Sequence, residues 1–106
     1  MRDRGLEGRR RDDIRPGLVR RIFPVTDANL ARMLEGRAPR DASGRPIVLH
    51  HRGQYANYFV DEYTVDEHRR LPLHEPGRDS SIDRTVFAEQ RARYWVTRAR
   101  KLLHAP

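Results

Sequence analysis

Pro46-Ile47-Val48-Leu49-His50-His51 reads as a short strand that ends in two adjacent histidines. Side chains alternate along a strand, so His50 and His51 must face opposite sides of whatever sheet they join. One imidazole can then hold a metal while its neighbour faces a substrate. His68 and His74 follow, so four of the five histidines of the chain fall between residues 50 and 74. That window decides the architecture, because the elements around it must bring these side chains together.

Working outward, Gly53 lets the chain turn, and Tyr58-Phe59-Val60-Asp61-Glu62-Tyr63 reads as a second strand, antiparallel to the first. The connection from Arg52 to Asn57 is long for a hairpin, so an irregular loop is expected there. Thr64-Val65-Asp66-Glu67 fits a capping box, threonine at the cap and glutamate three residues on. A short helix should start there with His68 in its first turns, and Pro72 limits it. His74 lies just beyond. Upstream, Thr26 or Asp27 can cap a helix over 27–35, with Leu30, Met33 and Leu34 at helical spacing and Gly36 as its stop. Leu18-Val19 and Ile22-Phe23 suggest a short strand or a single helical turn on the core. Downstream, a long helix over 81–103 carries the stripe Ala88, Ala92, Trp95, Ala99 and Leu102. Its arginines include Arg84 and Arg91, seven residues apart and on one side of the helix. A solvated arginine face competes with a phosphate-tracking one.

The length of 106 residues allows one small domain with a modest core. Residues 1–16 read as a charged, flexible lead or linker, and 17–106 as the domain. Without cysteine, neither a disulfide nor a thiolate metal site is available, so any metal must sit on histidine, carboxylate, amide or water. The net charge of +7 points to a polyanion as partner, nucleic acid first. Lys101 is the only lysine, and arginine suits bidentate contacts to phosphate. No apolar run reaches transmembrane length, and no h-region follows the basic N-terminus, so neither a membrane span nor a signal peptide is expected.

The histidine window supports two readings. Imidazole suits zinc, nickel and manganese, and three histidines could hold one ion with a position open, leaving the fourth to take a proton from water. A closed shell of four histidines would instead make a structural zinc site in a module that binds nucleic acid without cutting it.

At these residues the sequence resembles the LHH family of the HNH/endonuclease VII, or His-Me finger, nuclease superfamily. The triplet that names the family stands here as Leu49-His50-His51. The likeness continues through Asn29-Leu30, Arg32-Met33, Gly36-Arg37-Ala38-Pro39, Ser43-Gly44-Arg45-Pro46 and His51-Arg52-Gly53-Gln54. It extends over Glu67-His68, Leu73-His74, Ile82-Asp83-Arg84, Phe87, Arg91 and Tyr94-Trp95. The resemblance implies an α+β fold, a small ββα-metal nuclease core with flanking helices. It implies His51 as general base, His50 as metal ligand, His68 and His74 as the remaining ligand candidates, and Gln54 as a residue orienting a loop or substrate. Arg84 or Arg91 would contact phosphate. One divalent ion is implied, with zinc, magnesium, manganese and nickel all open. The substrate would be DNA, with RNA the alternative. The resemblance further implies a monomeric toxin module of a larger secreted bacterial protein, delivered to the cytoplasm of a target cell and neutralised in the producer by an immunity protein.

Overall fold

A computed structural model of the chain describes residues 14–17, 20–51, 59–71 and 84–104. The order of elements is β1 (Arg15–Pro16), α1 (Asp27–Leu34), β2 (Val48–His51), β3 (Phe59–Tyr63), α2 (Val65–Arg70) and α3 (Arg84–Leu103). They form the expected small α+β domain. The described strands make one sheet in the order β1-β3-β2. β2 runs antiparallel to β3 in the register His50↔Asp61 and His51↔Val60. β1 is parallel to β3, and the Gly17 amide extends that pairing by donating to the Val60 carbonyl at 2.6 Å.

The strand-strand-helix order expected for residues 46–70 is therefore present, and α1 lies within one residue of its expected bounds. The beginning of the fold differs. Ile14 to Pro16, expected in the flexible lead, belong to the core and the sheet: Ile14 is buried and Arg15–Pro16 form β1. Residues 20–25 are neither strand nor helix, yet they deliver Phe23 to the core. Local pattern could not reveal a two-residue strand containing proline, because its reason to exist is the edge of β3. Leu18 and Val19, and the start of the last helix at residues 81–83, lie outside the described residues.

The core gathers Ile14, Phe23, Met33, Ile47, Leu49, Val60, Trp95 and Ala99 between the sheet, α1 and α3. Met33 and Ala99 are wholly buried, as their helical spacing predicts, whereas Leu34 and Ala88 are exposed. Trp95 meets Phe23 edge-on, with ring centroids 6.2 Å apart. Trp95 is thus an anchor of the core.

Two buried polar groups fix the layers. Asn29 on α1 donates to the carbonyls of Pro24 at 2.8 Å and Arg40 at 2.9 Å, and accepts from the Arg40 amide at 2.8 Å. It pins the chain entering α1 to the chain that leads into β2. Glu62 on β3 is fully buried and accepts from the Tyr94 hydroxyl at 2.5 Å and from Arg98 at 2.8 and 3.2 Å. Burial opposes the charge on Arg98, but its hydrogen bond and attraction to Glu62 outweigh that, so its pKa is raised. Burial, reinforced by Glu62, also pushes the Tyr94 phenol up, keeping it a donor. Removing one partner of such a buried ion pair costs about 3–5 kcal/mol. This joint holds α3 on the sheet and so fixes where Phe87 and Arg91 stand.

Candidate active site

β2 ends in the histidine pair, and the register with β3 assigns the faces. Residues paired directly across strands share a face. His50 therefore lies with Asp61 and Tyr63, and His51 lies with Leu49, Val60 and Glu62. The second face meets α3; the first meets α2.

α2 starts at Thr64, whose hydroxyl accepts from the Glu67 amide at 3.1 Å while the Glu67 carboxylate accepts from the Thr64 amide at 3.0 Å. The capping box expected from the sequence is complete. It points His68 at His50: His68 Nε2 stands 3.3 Å from His50 Nδ1, with ring centroids 5.2 Å apart. Tyr63 lies beside His68 at 6.4 Å. α2 buries none of its residues. Side-chain tethers hold it instead: Arg20 is paired with Glu67, and Arg45 meets Asp66 at 2.9 Å. The Arg20 hydrogen bond, then the Thr64 amide, hold the Glu67 carboxyl below its ordinary pKa.

His51 occupies a different environment. It is 2% exposed, and its ring packs on Phe87 of α3 with centroids 4.2 Å apart. Burial lowers its pKa from the usual histidine value, so the ring is neutral at neutral pH. Its Nδ1 is buried with no hydrogen-bond partner among the described residues. Burial keeps this imidazole in its neutral form, in which one ring nitrogen carries a free lone pair. Phe87 in turn supports the Arg91 guanidinium, 5.0 Å from its ring centroid.

Of the residues singled out from the sequence, the structure brings His50 and His68 together and sets His51 apart, with Arg91 beyond Phe87. Arg84 is the first residue of α3. Gln54 and His74 lie outside the described residues. Three further side chains stand at the site with no role assigned to them from the sequence. Phe87 backs His51, and Asp61 lies opposite His50. Arg20 steadies α2 from 47 residues away. Phe87 already stood in the series that carries the family resemblance, and alternation along β3 puts Asp61 on one face with Tyr63, whereas nothing local marked Arg20.

The donor set suits a divalent ion in part. His50 and His68 would supply two imidazole nitrogens of the kind a divalent ion takes, and these stand 3.3 Å apart. Without metal, one ring donates to the other. Among the described residues no group of three or more histidine, aspartate or glutamate side chains could hold a metal ion.

Neither the curated proteins nor the solved structures contain a match to this chain. A family match covers residues 28–101, from α1 almost to the end of α3 and including both histidine faces. The chain belongs to the LHH family, a nuclease of the HNH/ENDO VII superfamily with conserved LHH, and nucleic acid is the substrate class that this membership implies.

Proposed function

We propose that this domain is a metal-dependent endonuclease that hydrolyses DNA with His51 as general base and serves as the toxin module of a larger bacterial protein. One observation carries the catalytic part: β2 splits the histidine pair, giving His50 a second imidazole 3.3 Å away while burying His51 apart from it. Phosphodiester hydrolysis needs a base for water and a centre of positive charge for the phosphate acting together, and the adjacent histidines at the end of β2 offer a candidate for each.

His50 and His68 would hold the ion, with His74 as a further candidate. When bound, the ion supplies charge neutralisation at phosphate oxygens. His51, kept neutral by burial against Phe87, accepts the proton of the attacking water. Arg91, or Arg84 at the start of α3, would meet phosphate, and Gln54 would orient a loop or the substrate. The +7 net charge favours the approach of a polyanion. The toxin role, delivery into a target cell and an immunity protein as partner rest on the LHH resemblance.

The experiment is the nicking of supercoiled plasmid with added zinc, magnesium, manganese or nickel, repeated with EDTA and with an RNA substrate. His51→Ala should abolish nicking while the fold and metal binding persist; retained cleavage would remove His51 from the role of base. His50→Ala and His68→Ala should lose metal binding as well as nicking. Growth arrest on expression, relieved by the product of the adjoining gene, tests the toxin role.

A further inference from the structure

A cavity of about 360 Å³ opens beside β2, walled by Ala38, Ile47, Leu49, Ala88 and Trp95, with Arg91 among its lining residues. We infer that it is a nucleobase subsite, which takes one unpaired base of the substrate strand while Arg91 meets the adjacent phosphate. The inference rests on the nuclease reading and adds the part of the substrate that this face holds.

Three observations place a nucleotide there. The first is position. Leu49 lines the cavity and lies two residues before His51 on the same strand face, so a chain lying across His51 reaches the cavity within about 7 Å. Phe87 packs on His51 and carries Arg91, so the base candidate and the cavity share one wall of α3. The second is chemistry. A lining of apolar side chains, backbone and one guanidinium suits a flat, weakly polar ring joined to an anion, and the cavity volume falls in the range of small-molecule sites. β2 is at the edge of the described sheet, and Val48 lines the cavity, so strand backbone stands beside it. The third is charge. In a chain of net charge +7, an exposed arginine beside this opening favours a polyanion over an apolar peptide.

Trp95 is the only tryptophan and lines the cavity, so its emission reports occupancy. The probe is a single-stranded thymidine tetranucleotide, compared with the same sugar-phosphate chain lacking its bases. The phosphates are then identical and only the bases differ. The intact chain should change Trp95 emission saturably and the base-free chain should not. Ala88→Leu fills the opening from an exposed helix position, so the core is untouched. It should weaken the response about tenfold and lower kcat/KM for nicking to a similar degree. An equal response to the base-free chain would reduce the site to a phosphate contact at Arg91. No saturable response, an unchanged response in a folded Ala88→Leu protein, or saturation by an apolar tetrapeptide instead would overturn the subsite. The titration needs no turnover: a wild-type protein that nicks nothing refutes the nuclease reading, while Trp95 still decides the cavity.

Discussion

His51 owes its chemistry to what surrounds it. A histidine at a strand end would ordinarily titrate near pH 6.5. Here the Phe87 ring and the sheet withdraw it from water, which disfavours the imidazolium and lowers its pKa. The native state therefore binds fewer protons at this site than the unfolded chain does. The stability this contributes is fully present above the unfolded value and is lost as pH falls from there through the lower native value. In metal-free protein, NMR titration should place the His51 midpoint below the ordinary histidine value of about 6.5. Phe87→Ala should move the midpoint upward by admitting water. Phe87 is only half-buried, so the change should cost less than the roughly 3–5 kcal/mol of a fully buried phenylalanine. A midpoint that ignores Phe87 would mean that something other than this contact dries the ring.

α2 presents the opposite case, an element that carries a site residue without burying a face. Its six residues include none that is buried, so apolar packing does little to hold it. What sets the position of His68 is the Thr64 capping box and the two arginine tethers, Arg20 to Glu67 and Arg45 to Asp66. Partly exposed ion pairs contribute about 1 kcal/mol or less to folding. Arg20→Ala combined with Arg45→Ala should therefore leave thermal unfolding nearly unchanged. Groups that orient a ligand typically matter about 10–100-fold to metal affinity, so zinc binding measured by calorimetry should weaken clearly, with Arg20→Lys retaining most of it. Unchanged zinc affinity in the double variant would show that the rings alone set their geometry. The same contrast explains what the sequence could reveal. The capping box is an i, i+3 pattern, and the opposite facing of His50 and His51 follows from strand alternation, so both were legible. Arg20, β1 and the Glu62–Tyr94–Arg98 joint depend on partners far along the chain. The exposure of Leu34 and Ala88 depends on where α1 and α3 cross. No local period encodes these features.

For the molecule as a whole, the question is which face carries the nucleic acid, and net charge alone does not answer it. Several arginines are already committed: Arg20, Arg37, Arg45 and Arg98 pair with Glu67, Glu35, Asp66 and Glu62. Arg69 and Arg70 are exposed in the last turn of α2, directly after His68. Lys101 is exposed near the far end of α3, fourteen residues beyond Phe87 and so about 20 Å along the helix axis. That separation exceeds the Debye length of about 8–10 Å near physiological salt, so charge at Lys101 should not be felt by a strand crossing the histidines. Each phosphate contact contributes about 0.9 to the slope of log affinity against log salt for duplex DNA. Binding to a short duplex in EDTA should therefore lose close to one unit of slope for each of Arg69→Ser and Arg70→Ser, and none for Lys101→Ser. If the slope instead followed Lys101 and ignored α2, the duplex would lie along the distal part of α3, too far from His51 for the proposed chemistry.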